Sequence, residues 1–176
     1  QGYNRLAQAY RSLQEYPAAV AALEAQLRLQ PDDPAALYQI GLLLAATSPE
    51  FASPYLRETA ALSPDLGSKA LVIDRSLRAV SSVQEPAYTY LAAGRALASI
   101  GEWELAGEAF HRATLARPDW AEAWAFLGEA RRRLASDDLA SRQALQDLEK
   151  AHSLNPTSIA ANILLALYWQ EHHDQA

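Results

Sequence analysis

Apolar residues recur three and four positions apart along this chain, in blocks punctuated by proline. The clearest block is "PAYTYLAAGRALASIGEWELAGEAFHRATLARP", residues 86–118. Tyr90, Ala93, Gly94 and Leu97 fall at i, i+3, i+4 and i+7, which is one face of a helix. Gly94 lacks a side chain where a neighbouring backbone is expected to come close. Gly101 predicts the end of this helix through a left-handed cap. A second helix follows, with Ala106, Phe110 and Ala113 on one face. Small Ala106 is expected opposite the glycine row, and Phe110 in the wedge between the paired helices. Pro118 stops the second helix, because proline cannot continue the hydrogen-bond ladder. Neither stripe can be buried by its own helix, so stacked neighbours must cover it.

The block repeats. Similar phrases end apolar segments at Pro31 ("RLQPDD"), Pro64 ("ALSPDL"), Pro118 ("LARPDW") and Pro156 ("SLNPTS"). Bulky residues open the next helices at Tyr3, Leu37, Tyr90 and Trp124, and Asn162 takes the fifth slot. The separations are 34, 53, 34 and 38 residues. The first unit carries Tyr3, Leu6, Ala7, Tyr10, Tyr16, Ala19, Leu23 and Pro31. The second carries Leu37, Ile40, Gly41, Leu44, Ala52, Leu56 and Pro64. The fourth carries Trp124, Leu127, Gly128, Ala144, Leu148, Ala151 and Pro156.

These rows resemble the tetratricopeptide-repeat family over about nine-tenths of the chain, and the 34-residue spacing is that family's period. The resemblance implies an all-α, right-handed superhelical solenoid of about four helix-turn-helix repeats. The organisation it predicts is repeats 1 and 2 over 1–64, a spacer helix over 65–86, repeats 3 and 4 over 87–158, and the first helix of a further repeat over 159–176. The spacer, "LGSKALVIDRSLRAVSSVQEP", places Leu66, Ala70, Ile73, Leu77 and Val80 at helical spacing and reads as one unpaired helix. The fourth unit is about a turn too long near "RRRLASDD", where Ser136 or Asp137 is expected to cap the second helix. In the second unit Pro49 suits a first helical position, and Pro54 is expected to bend the helix or move its start to Ser53. At the end, Ile163, Leu164, Leu167 and Trp169 lie on a first helix without its partner. That face is expected to meet the continuation of the array, a cover, or a second copy pairing through residues 159–169.

Composition narrows the classes. The chain has 176 residues, half of them apolar, with net charge −6 and no cysteine. An acidic balance without a basic stripe argues against nucleic acid. Absence of cysteine removes disulfides, thiolate nucleophiles and cysteine metal sites, and leaves the compartment unread, with cytoplasm the default expectation. No apolar run is long enough to span a bilayer. The chain opens inside a helical pattern without methionine, which reads as a piece of something longer. Arginine far outnumbers lysine, present only as Lys69 and Lys150, and with the alanine content this points to a GC-rich bacterial gene.

Candidate chemistry is sparse. Catalysis needs a base held by an orienting partner, and none of His111, His152, His172 or His173 has one in sequence. "EHHD", 171–174, puts His172 and His173 about 100° apart on a helix, so they do not share a ligand face, and a solvated helix end is expected. Asp32-Asp33 and Asp137-Asp138 read as caps. Arg131, Arg132 and Arg133 read as a complement to the helix dipole on a solvated face. No phosphate loop or nucleophile elbow occurs, so no enzyme, cofactor or metal is expected.

The resemblance further implies a concave groove lined by first-helix positions. Carried over, these are Arg5, Gln8 and Arg11; Tyr38, Gln39 and Leu42; Tyr88, Leu91 and Arg95; and Phe126, Glu129, Arg132 and Arg133. Exposed Tyr, Leu and Phe flanked by arginine suit an extended peptide or a partner helix. The carboxylate clamp of chaperone-tail-binding members is absent: its positions hold Asn4, Gln8, Gln39, Tyr88 and Ala92. The expected function is a non-catalytic protein-interaction scaffold. The alternatives are an oligomerisation module and a regulatory domain attached to an enzyme or membrane protein.

Overall fold

The computed structural model describes residues 2–173 and, of His173, the backbone alone; Asp174, the last residue of the "EHHD" run, lies outside. Among the described residues every regular element is helical. Two compact units divide the chain at residues 84 and 85. The first holds α1 (Gly2–Ser12), α2 (Tyr16–Leu29), α3 (Pro34–Thr47), a 3-10 turn (Pro49–Phe51), α4 (Ala52–Leu62) and α5 (Pro64–Ala79). The second holds α6 (Pro86–Ser99), α7 (Trp103–Ala116), α8 (Ala121–Leu134), α9 (Asp138–Leu154) and α10 (Ile159–His173). Within each unit, helices pack on their chain neighbours, and α3 also meets α5, as α8 meets α10. This is a helical-repeat fold.

The hairpins close on glycine. A Cβ added at Gly94 would lie 2.5 Å from the Phe110 ring, one at Gly41 would lie 2.6 Å from the Leu56 side chain, and one at Gly128 would lie 2.7 Å from that of Leu148. In each hairpin the first helix therefore gives up a side chain so that a large residue of the second can lie flat against it. The partner is a side chain, where the sequence suggested a backbone. Phe110, Leu56 and Leu148 are fully buried, each contributing roughly 1.5–3 kcal/mol by leaving water. Ala7 holds the corresponding place in the first hairpin and is buried.

Helix ends follow local chemistry. The Asp33 carboxylate accepts from the backbone N–H groups of Ala35 and Ala36 at 3.0 and 3.2 Å, and that of Asp137 from Ala140 at 2.8 Å. Gly101 leaves α6 with φ 88°; Gln14, two residues before α2, adopts φ 59° at the same place in the first hairpin. Pro64 begins α5 instead of ending α4, because its missing N–H costs nothing at a first helical position. Pro49 opens the 3-10 turn and Pro54 sits in the first turn of α4, so the chain accommodates both prolines before the α-helical ladder begins.

Two expectations need correction here. α5 is not unpaired: it packs on α4 and α3, as the opening helix of another repeat would. Gly67 brings it close to the α4 backbone, where an added Cβ would meet Ala60 Cα at 2.8 Å. Tyr3 and Leu6, placed at packing positions by the repeat, are exposed, because no described helix lies on that side of α1. α10 keeps only part of the uncovered face its sequence suggested: Ile163, Leu167 and Trp169 are exposed, as is Ile159, but Leu164 is half-buried because it packs, with buried Ala161 and Tyr168, against α8 and α9.

Candidate functional site

The first-helix residues with the most varied surface chemistry lie on α6 and α8. Arg95 lies one turn on from buried Leu91 along the same side of α6. Its side chain is 60 % exposed, 3.6 Å from the Glu122 carboxylate, and its guanidinium lies 5.4 Å from the centre of the Phe126 ring. Phe126 stacks in turn on buried Phe110, with centroids 5.4 Å apart. The arrangement offers a cation, a carboxylate and a half-buried aromatic together, backed by the glycine–Phe110 contact.

A second cluster forms at the start of α6. The Arg117 guanidinium lies over both Tyr88 and Trp120, donates to the Tyr88 hydroxyl at 3.2 Å and pairs with Glu85 at 3.5 Å. The two rings approach to 4.5 Å between centroids. Sequence reasoning found Tyr88 but missed Arg117 and Trp120. Their signal was the proline phrase itself, which also sets residues just before the next helix beside the previous first helix.

The remaining proposed groove residues divide by burial. In the first unit Arg5 and Gln8 are exposed and Tyr38 and Gln39 half-buried. Leu42 is 2 % exposed and Leu91 5 %, so both are core residues and offer no surface, contrary to the expected exposed leucines. Glu129 and Arg132 also turn inward. Glu129 is buried and accepts from Arg132 Nε and Nη2 at 2.8 and 2.9 Å and from Arg133 Nε at 2.6 Å. Burial alone would raise the Glu129 carboxyl, but these hydrogen bonds hold it below its ordinary value of 4.5. Arg132 also donates to Glu171 of α10, and its guanidinium is raised by the hydrogen bond to Glu129 against the opposing effect of burial.

The arginine run is thus not merely a solvated face: Arg132 turns inward, and Arg131 and Arg133, though more exposed, each engage a neighbouring helix. Arg131 reaches Asp147 on α9 at 2.6 Å, Arg132 reaches α10, and Arg133 lies over Trp103 of α7 with its guanidinium 4.4 Å from the ring centre. Consecutive positions on a helix point about 100° apart, so three arginines in a row address three neighbours. Asp147 is raised, chiefly by burial, despite Arg131.

His152 and His172 make side-chain hydrogen bonds, and the helix end carrying His172 is not merely solvated. His172 Nδ1 contacts the Tyr168 carbonyl at 2.8 Å, its Nε2 lies 2.9 Å from Ser141 Oγ, and its ring stacks on Tyr168. His152 Nδ1 lies 2.8 Å from Asn162 Oδ1. No described helix is long and apolar enough to cross a membrane.

Residues 7–48 match a family model described as TPR repeat. No curated protein sequence matches the chain. Among solved structures, a thermophilic TPR protein of Thermus thermophilus, TTC0263, is 21 % identical over 97 % of this chain and 98 % of its own, with a TM-score of 0.47. Residues 41 to the end of MamA from Desulfovibrio magneticus RS-1 are 21 % identical over 98 % and 84 %, with a TM-score of 0.45. YrrB, titled a TPR protein with an unusual peptide-binding site, is 20 % identical over 90 % and 88 %, with a TM-score of 0.43.

Proposed function

We infer that this chain, a tetratricopeptide-repeat protein, is a non-catalytic interaction scaffold that holds a peptide or partner domain on its first-helix face. The observation that carries the reading is the Arg95–Glu122–Phe126 group. An exposed cation and a carboxylate flank an aromatic whose far side is fixed against Phe110. Such a group offers directional polar contacts beside a rigid apolar anchor, the composition of an interaction hot spot. Tyr88 extends the same chemistry on α6. Arg5, Gln8, Tyr38 and Gln39 are the candidate contacts of the first unit. Glu129 and Arg132 serve by fixing α8 and α10, since their charges are spent on each other and on Glu171.

The test is affinity capture from the source cells with wild type and Arg95→Glu in parallel. Arg95→Glu is expected to lose the partner while the melting temperature moves no more than an ordinary surface change moves it. Retention of the partner at wild-type level contradicts the assignment of this face.

One observation favours a second reading, assembly through α10. Ile159, Ile163 and Leu167 recur every four residues and are exposed, Ile159 at 76 %. A concentration-dependent mass in sedimentation, abolished by Ile163→Glu, supports self-association. A monomeric mass throughout excludes it.

A further inference from the structure

An open cleft of about 670 Å3 lies in the first unit, between α2, the end of α3 and the start of α4. None of its residues belongs to the first-helix set discussed above. Its walls combine two chemistries. Leu44, Phe51 and Pro54 supply apolar surface, and Phe51 is 62 % exposed on the 3-10 turn that Pro49 opens. Glu24, Glu50 and Glu58 bring three carboxylates to the same walls.

No lysine or arginine lines the cleft. Among the described residues, these carboxylates make no ion pair with a cation. The Tyr55 hydroxyl on the same wall is pushed up by burial and then by the negative charge of Glu24 and, less, of Glu58. Like charges gathered on the walls of one cleft repel one another and gain from a cation placed among them. A planar guanidinium carries five donors, enough to meet two carboxylates while lying against an aromatic face. Its aliphatic stem matches the apolar walls, and the open mouth admits the chain on either side of it.

We propose that this cleft is a second docking site, taking an arginine-bearing extended segment of a partner protein, with Glu50 and Glu58 receiving the guanidinium and Phe51 as its shelf. The site is separate from the first-helix face, so either can fail alone.

The experiment uses the whole chain labelled with 15N and two capped hexapeptides, one carrying an arginine flanked by alanine and proline, the other citrulline in its place. The arginine peptide is expected to shift the amides of Glu50, Phe51, Tyr55 and Glu58 saturably, and the uncharged citrulline peptide to bind about tenfold more weakly or worse. Glu50→Gln with Glu58→Gln, both exposed and outside the packed core, is expected to reduce the affinity for the arginine peptide by a similar factor. Arg95→Glu is expected to leave it unchanged. Equal binding of the two peptides, saturable shifts confined to other residues, or no saturable shift would overturn the proposal. So would calcium shifting these amides when the arginine peptide does not.

Discussion

Arg133 lays its guanidinium over the indole of Trp103, 4.4 Å from the ring centre, while its Nε donates to Glu129 at 2.6 Å. One side chain thereby joins the end of α8 to the start of α7 and to the buried carboxylate that organises Arg132. The stacked contact is a cation–π interaction and the other a charge-assisted hydrogen bond.

Arg133→Ala is therefore expected to lower stability by about 1–2 kcal/mol. Arg133→Lys should recover only part of this, since an ammonium cannot stack and bridge as the planar fork does. Urea unfolding followed by tryptophan fluorescence measures both. An unchanged midpoint for Arg133→Ala would mean that Trp103 is ordered by apolar contacts alone.

Glu129 sets an acid limit on the second unit. Its carboxyl lies below the ordinary 4.5, so its contribution is complete above that value and is lost as pH falls through the lowered folded-state value. Asp147 is raised and acts in the opposite direction, favouring the folded state towards acid. Comparing wild type with Glu129→Gln isolates the first effect. The variant is expected to be less stable near neutrality by about 1–3 kcal/mol, because an amide replaces charge-assisted hydrogen bonds to Arg132 and Arg133 and leaves Arg132 with Glu171 as its remaining carboxylate. The gap should narrow as pH drops below 4.5. A gap constant from pH 7 to acid would contradict the lowered carboxyl.

Gln14 stands in left-handed backbone, φ 59°, where the third hairpin has Gly101 at φ 88°. A side chain costs about 1–2 kcal/mol there, and glycine removes that cost while adding unfolded-state freedom. Gln14→Gly should therefore stabilise by up to about 1 kcal/mol, read as a raised midpoint in thermal unfolding. Gly101→Ala should do the reverse.

What was legible in the sequence is what depends on short spacing. The helical hairpin, with Gly94 and Phe110 both on its packing faces, follows from periodicity within one repeat, although which of them meets the other does not, and the Asp33 and Asp137 caps follow from their places before a helix. What escaped depends on distant partners. Arg131 and Arg132 are solvated by every local criterion, yet Asp147 lies 16 residues on and Glu171 lies 39 residues from Arg132. Leu42 and Leu91 stand at the margin between groove and core. The repeat pattern places them on the first-helix face, and only the position of the neighbouring helix turns them inward. α5 was read as unpaired because its own second helix is missing, whereas Gly67 lets it lie on α4 instead.

The hairpin geometry rests on glycine making room for a large side chain, and a double-mutant cycle between Gly94 and Phe110 tests it most directly. Gly94→Ala forces a Cβ to 2.5 Å from the Phe110 ring and is expected to cost about 1–3 kcal/mol. In a Phe110→Leu background the smaller side chain should yield, so that Gly94→Ala costs at least about 1 kcal/mol less. Equal costs in the two backgrounds, measured by urea unfolding, would contradict the account.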